Sequence, residues 1–342
     1  MRFRNTFVIL AVVALIGFLV AGCGKQQAAG EKIVIRYAGT LPVNHHLTKS
    51  QEYFKKVVEE RTSGRVEVQL FPAQQLYSDK DLVEAVPKGG VEMANLSLYM
   101  WTGLSPSLGL LAQIGAYSDA DHFHRVEDGA PGQEIIKDLE EKGNLKFLGW
   151  LDFDNGYFFS VKPISKLDDF KGLRMRGMGD FESVFIQGLG AAPVAMSSSE
   201  MYMAMQKKTI EGAVTGATSY VERNLIEVAR YPLENAIAWG GAFGIVVNRD
   251  FWNKLPPDVQ QVIADAAREV TLKSREEAQK ANAGAWEKIK NTSGVTVTKL
   301  SAADEEKMQQ IGREAGSKLL ADKLGQERAK QLLDMVEALR KQ

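Results

Sequence analysis

Asp169-Phe170-Lys171-Gly172-Leu173-Arg174-Met175-Arg176 opens the segment around which this chain is organised. An apolar helical stretch follows, then Gly190-Ala191-Ala192-Pro193-Val194, Ser197-Ser198-Ser199-Glu200-Met201-Tyr202-Met203-Ala204-Met205-Gln206 and Ile210-Glu211-Gly212-Ala213-Val214-Thr215-Gly216. The pattern predicts two short strands separated by two helices, with Arg176 at the end of the first strand and Thr215 at the end of the second. Ser197 precedes Glu200 by three residues, a spacing in which hydroxyl and carboxylate each satisfy a free backbone N–H, so a helix starts there. Ligands of open α/β sheets sit just beyond the carboxyl ends of strands, which aims Arg176 and Thr215 at one crevice.

Outward toward the N-terminus, Ile33 to Thr40 is a β-branched run closed by the turn Leu41-Pro42-Val43-Asn44. Phe54, Val57, Val58 and Arg61 recur at helical spacing, and Thr62-Ser63-Gly64 ends that helix. Val66, Val68 and Leu70 alternate with polar residues. Leu82, Ala85 and Val86 mark a short helix, and Val91 to Ser97 is the next strand. This βαβαβ order opens an α/β domain.

Ser118 to Gly143 reads as helical, followed by strands at Lys146–Trp150 and, after Asn155-Gly156, Tyr157–Val161. The chain then crosses into a second domain, because βα alternation restarts near Gly172. Phe243 to Asn248 is a buried strand that returns toward the first domain. Leu255-Pro256-Pro257 launches a long amphipathic helix with Val262, Ile263, Ala266, Ala267 and Val270 on its apolar stripe, continuing past Trp286. Helices around Met308 and Leu332–Leu339 close the chain.

Of 342 residues, 45% are hydrophobic and 25% charged, an ordinary folded composition long enough for two domains. A net charge of −1 offers no basic surface for nucleic acid. Arg2 and Arg4 precede the apolar run Phe7–Val20, and Ala21-Gly22 precede Cys23, the single cysteine. That order reads as a bacterial lipoprotein signal with a lipidated Cys23; a plain secretory signal or an uncleaved anchor helix is the alternative. The polar tract from Gly24 to Gly30 then serves as a tether, leaving the folded part outside the cytoplasm at a membrane surface.

Catalysis would need a nucleophile with its base, a metal cage or a phosphate cradle. The nucleophile-elbow, phosphate-loop and zinc-protease patterns are absent. His122 and His124 would share one side of a strand, but the sequence places no cysteine or carboxylate cluster around them, and a surface or capping role is the reading for all four histidines. No catalytic residue, metal or cofactor is expected. Arg176 carries a planar fork that matches a carboxylate with two parallel bonds; its other reading is a surface ion pair.

The central segment resembles the periplasmic solute-binding subunits of TRAP transporters, the DctP-like family, and the resemblance covers nearly all of the chain beyond the tether. Lys171 to Arg176 matches the family run Lys-Gly-Leu-Lys-Ile-Arg, Gly190-Ala191-Ala192-Pro193 and Glu200 to Gln206 match its Gly-Ala-x-Pro and Glu-x-Tyr-x-Ala-Leu-Gln, and Ile210-Glu211-Gly212 its Val-Asp-Gly. Glu60-Arg61-Thr62, Gly64 and Phe71-Pro72-Ala73-Gln74-Gln75-Leu76 look like its first lobe.

The resemblance implies that Arg176 grips a ligand carboxylate, with Thr215 standing where asparagine is usual. Thr40, Ser97 and Ser198 fall where the family places secondary polar contacts. A second family arginine follows Asn-Gly-x, and here Phe158 stands after Asn155-Gly156-Tyr157. A one-arginine pocket near Tyr157, Phe158 and Trp239 suits a monocarboxylate with an apolar or aromatic body; Tyr157 and Trp239 read equally as core.

The expected architecture is α/β and two-lobed, periplasmic-binding-protein-like, with a cleft between lobes and a long spanning helix. Residues 1–22 are signal, 23–30 tether, 31–154 mainly the first lobe, 155–247 mainly the second, and 248–342 the spanning and C-terminal helices. The implied partners are an organic acid and a TRAP-type permease in the membrane. A sensory lipoprotein with the same ligand and an extracytoplasmic enzyme on an organic acid are the rival readings.

Overall fold

Among the described residues the β-branched and alternating runs, with two short segments that lack such a pattern, form ten strands in two five-stranded sheets. The structure, a computed structural model, describes residues 32–340, so the signal and the lipidation expected at Cys23 lie outside the described residues. The first lobe begins β1 (Ile33–Gly39), α1 (His46–Arg61), β2 (Val66–Phe71), α2 (Asp79–Ala85), β3 (Met93–Ser97), α3 (Ala120–Asp128), α4 (Ala130–Gly143) and β4 (Leu145–Asp152). The second holds β5 (Gly156–Ser160), β6 (Arg174–Gly177), α5 (Asp180–Gly188), β7 (Ala192–Ala195), α6 (Met201–Gln206), β8 (Gly212–Gly216), α7 (Ala217–Glu222) and β9 (Tyr231–Pro232). The chain ends with β10 (Ala242–Asn248), α8 (Arg249–Lys254), α9 (Pro257–Asn291), α10 (Ala302–Leu324) and α11 (Gln326–Ala338).

The two sheets repeat one plan. In the first, ordered β2-β1-β3-β10-β4, β1 runs parallel to β2 and β3, and β10 is antiparallel to β3 and β4. In the second, ordered β7-β6-β8-β5-β9, β6 runs parallel to β7 and β8, and β5 is antiparallel to β8 and β9. The chain leaves the first sheet after β4 and returns to it as β10. β10 thus returns the chain to the first sheet within the stretch 155–247 read as mainly the second lobe, as expected of Phe243 to Asn248.

Between Arg176 and Thr215 the sequence predicted two strands; the structure has three, because Ala192–Ala195 pairs with β6 as β7. Pro193 masked that strand, and it is tolerated because β7 is the sheet's edge, where a missing N–H breaks no inner ladder. The helical stretch from Ser118 splits at Gly129, which is extended at φ −86° and ψ −169°. His122 and His124 lie on α3, within the helical stretch expected from Ser118, so they do not share one side of a strand.

α9 has 35 residues, about 52 Å of helix, enough to touch both lobes. Val259, Ile263, Ala266, Ala267 and Val270 join the first-lobe core with Ile35, Phe54 and Ile245. Farther along, Ala285, Trp286 and Ile289 join the second-lobe core with Phe159 and Tyr220. α10 makes a second tie: Met308 packs with the Phe158 and Phe170 cluster, while Leu320 packs with Trp101 and Phe123 of the first lobe.

Candidate functional site

Parallel strands end their backbone on the same side of a sheet, so β1 and β3 present Thr40 and Ser97, and β6 and β8 present Arg176 and Thr215. The two sets meet at one small cavity of about 20 Å³, which Ser198, Asp79, Ser219 and Arg223 also line. Leu41, Met100, Phe153, Met178 and Phe243 supply apolar walls. Side chains of one lobe hydrogen-bond to the other beside this cavity, Gln74 to Ser197 and Ser198 and Arg223 to Thr40, so the lobes stand close together around it.

Arg176 is 2% exposed. Its Nε donates to the Met196 carbonyl and its Nη1 to the Val214 carbonyl, both at a long 3.3 Å. Asp79 Oδ2 is 3.9 Å from Nη2, too far for a hydrogen bond. A guanidinium has five N–H donors, so a cation sits deep in protein with most of its donors unanswered among the described residues. Burial pulls its pKa down, and the charges of Asp79, Glu182 and Glu200 oppose that pull. An anion within reach of those donors would relieve the desolvation cost.

Arg223, at the C-terminal end of α7, is the residue that sequence reading missed. Its Nε donates to Ser219 Oγ at 3.1 Å and its Nη2 to the Thr40 carbonyl at 2.8 Å. Burial first and then the positive charge of Arg176 bring its pKa down to about 10. Asp79, also missed, heads α2 behind the N-cap Ser78; its Oδ2 accepts from the Ser198 N–H at 3.0 Å. Asp79 Oδ1 and Ser97 Oγ are buried without a hydrogen-bond partner among the described residues.

A clasp closes the cleft at one side. Ala73 and Gln74 are held in the left-handed region, φ 53° and 62°, by N–H bonds to Leu41 O and Gly39 O. That unusual pair aims Gln74 at the second lobe, where its Nε2 donates to Ser198 Oγ at 2.8 Å and its Oε1 accepts from Ser197 Oγ at 2.9 Å. Ser197 and Glu200 form the expected capping box, with the Ser197 N–H on Glu200 Oε2 at 2.6 Å. That box fixes the loop the clasp grips.

Three expected site residues lie elsewhere. Phe158 is fully buried against Phe170, ring centroids 4.8 Å apart, and Phe185 in the second-lobe core. Tyr157 packs edge-on to Trp286 at 5.0 Å. Together with Trp239 it borders a wider cavity of about 630 Å³ that shares no lining residue with the Arg176 cavity. The one-arginine premise is corrected as well, since Arg223 brings a second guanidinium from α7 where Phe158 brings none.

The family model for bacterial extracellular solute-binding proteins, family 7, DctP, matches residues 37–322. The C4-dicarboxylate-binding periplasmic protein DctP of Rhodobacter capsulatus is 27% identical over 298 residues, 83% of this chain and 85% of that protein. A TRAP periplasmic solute binding protein from Sulfurospirillum deleyianum, solved with bound succinate, superposes with a TM-score of 0.84 at 24% identity over 90% of this chain and 99% of that one. Another from Pseudomonas putida F1, with bound D-glucuronate, gives 0.82 at 24% identity over 90% and 97%. The sheet plan and spanning helices are thus those of a two-lobed binding protein, and the chain belongs to the DctP family, family 7 of the bacterial extracellular solute-binding proteins.

Proposed function

We propose that the protein captures a small organic acid between its lobes, with the carboxylate on Arg176, and delivers it in the periplasm to a TRAP-type membrane permease. The observation that carries this reading is the buried guanidinium of Arg176, whose donors face a cleft cavity with only long carbonyl contacts. A planar fork in a dry site is the arrangement that recognises a carboxylate. Ligand binding that favours the closed form then drives closure.

The favoured ligand is a monocarboxylate with a compact apolar body. Arg176 and Arg223 bring two positive charges and Asp79 one negative, leaving one for a single carboxylate, while Leu41, Phe153 and Phe243 wall the rest. The expected role of Tyr157, Phe158 and Trp239 in holding an aromatic body is withdrawn. A dicarboxylate is the second reading, supported by the two guanidiniums and by the named ligands of the Rhodobacter and Sulfurospirillum relatives.

A thermal-shift screen of the purified protein against monocarboxylates, keto acids, amino acids, sugar acids and dicarboxylates separates them. An acid at a hundred times its Kd stabilises the fold by about 2.7 kcal/mol. Hits among monocarboxylates support the favoured reading, hits confined to dicarboxylates support the second, and stabilisation by no carboxylic acid contradicts both.

A further inference from the structure

Away from the Arg176 cavity, the first crossover contains a buried polar cluster that the ligand site does not use. Asp152 is the last residue of β4, where the chain leaves the first sheet. Two residues of α3 meet it: His124 Nε2 is 2.7 Å from Asp152 Oδ2, and potential ligand atoms of His124, Glu127 and Asp152 all lie within 4.8 Å of one another. His124 and Glu127 are three apart on one helix, so they project from the same face. The residues are 8%, 1% and 4% exposed.

Burial of this kind demands partners, and two are missing. Glu127 Oε1 and Asp152 Oδ1 are buried with no hydrogen-bond partner among the described residues. The neighbouring cation is Arg275 of α9, whose Nη1 and Nη2 each donate to Asp128 at 2.8 Å, while Nη2 alone also reaches Glu127 Oε2, at a long 3.4 Å. Arg275 is thus held mainly by Asp128, and Glu127 Oε1 and Asp152 Oδ1 remain as two buried carboxyl oxygens without a donor beside the His124 imidazole.

We propose that His124, Glu127 and Asp152 bind a divalent first-row cation, with zinc the best match, at the crossover between the lobes. One imidazole nitrogen and two carboxylate oxygens are a donor set that zinc accepts, with water completing the four positions. Bonds of about 2.0–2.2 Å hold tetrahedral ligand atoms about 3.3 Å apart, so modest side-chain rotations from the present spacing close the site. The ion would give both orphaned oxygens a partner. It enters past His124, whose side chain keeps 11% exposure.

The surrounding contacts fit a held ligand set. The Asp152 N–H donates to Ser274 Oγ of α9 at 3.3 Å, and His46 Nε2 lies 3.0 Å from the Asp152 carbonyl oxygen. A bound ion thus pins α3 to the end of β4, and through Ser274 to the spanning helix, stiffening the point about which the lobes turn. Protons are the competing way to neutralise the cluster: burial and the charge of Asp152 push the Glu127 carboxyl well above the usual range.

The test is calorimetric titration of chelator-stripped, purified protein with Zn²⁺, alongside the absorption spectrum on adding Co²⁺. One ion per chain is expected, with His124→Gln and Glu127→Gln each weakening uptake at least about tenfold and Arg176→Ala leaving it unchanged. Circular dichroism establishes that each variant is folded. Stripped wild-type protein that takes up no ion overturns the proposal whatever the variants do. Uptake that persists unchanged in both folded ligand variants overturns it too, because the ion is then held elsewhere.

Discussion

The guanidinium of Arg223, carried by the second lobe, donates a 2.8 Å hydrogen bond to the backbone carbonyl oxygen of Thr40 in the first. One side chain thus both lines the cavity and ties the lobes across it. Arg223→Gln keeps polarity and removes the charge and reach. Hydrogen bonds to charged groups contribute about 1.5–3 kcal/mol, so ligand affinity should fall about tenfold or more by calorimetry, with a larger radius of gyration in solution scattering. Unchanged affinity and unchanged closure would remove Arg223 from the site.

The Gln74 clasp predicts a different signature. It touches the Ser197 and Ser198 loop and no charge of the Arg176 cavity, so Gln74→Ala should leave ligand ranking intact while weakening closure. Two neutral hydrogen bonds at about 0.5–1.5 kcal/mol each predict a loss of several-fold to a hundredfold, expressed mainly as faster ligand release in stopped-flow displacement. A Gln74→Ala protein that releases ligand at the wild-type rate would show that the clasp does not hold the closed form.

Asp154, in the crossover between β4 and β5, gives a pH prediction. Burial raises its pKa from the ordinary 3.8 to about 7, although the Thr218 N–H and hydroxyl and the Asn155 N–H donate to it at 2.9, 3.0 and 2.6 Å. For an acid with a raised folded pKa, the folded state holds the proton more tightly than the unfolded one. The stability this contributes is complete below about 3.8 and is lost as pH rises through about 7. Between those values the Tm of the wild type should fall relative to that of Asp154→Asn, in which nothing titrates at this position. Parallel Tm profiles would place the Asp154 pKa near its unfolded value.

Packing of α9 on β4 is testable at a glycine. A Cβ on Gly149 would lie 2.2 Å from Thr271 Oγ1, whereas one on Gly284, on the same long helix, would meet nothing within 4 Å. Gly149→Val should cost about 1–3 kcal/mol through overpacking. Gly284→Ala should stabilise by about 0.4–1 kcal/mol through the unfolded chain. Equal Tm values for the two variants would mean that the helix sits less closely on the sheet.

What the sequence revealed, and what it hid, follows from where the information sits. Arg176 and Thr215 were legible because they stand at strand ends, and alternation with turn residues marks strand ends, whereas Thr40, Ser97 and Ser198 came only from the family resemblance. Arg223 was not, because it closes a helix of six residues with no motif of its own, and its partner Thr40 is 183 positions away. Asp79 reaches the cavity from the opposite lobe and was hidden for the same reason. Phe158 was placed at the pocket only because it stands where the resembled family has an arginine; β5 is buried along its whole length, so the sequence offered no polar side to show that this ring faces the core. The helical reading from Ser118 put His124 and Glu127 on one face, but Asp152 joins them only through the fold, 28 positions from His124 at the end of β4.

Whether the ligand carboxylate rests on Arg176 is read most directly by titrating the strongest acid from the thermal-shift screen into wild-type protein and into folded Arg176→Ala. Loss of the guanidinium leaves a buried carboxylate without its partner, and affinity should drop by at least about 2 kcal/mol, roughly thirtyfold, with thermal stabilisation by the acid reduced in step. An Arg176→Ala protein that binds the acid as tightly as the wild type would contradict the carboxylate-anchor role at the centre of the proposed function.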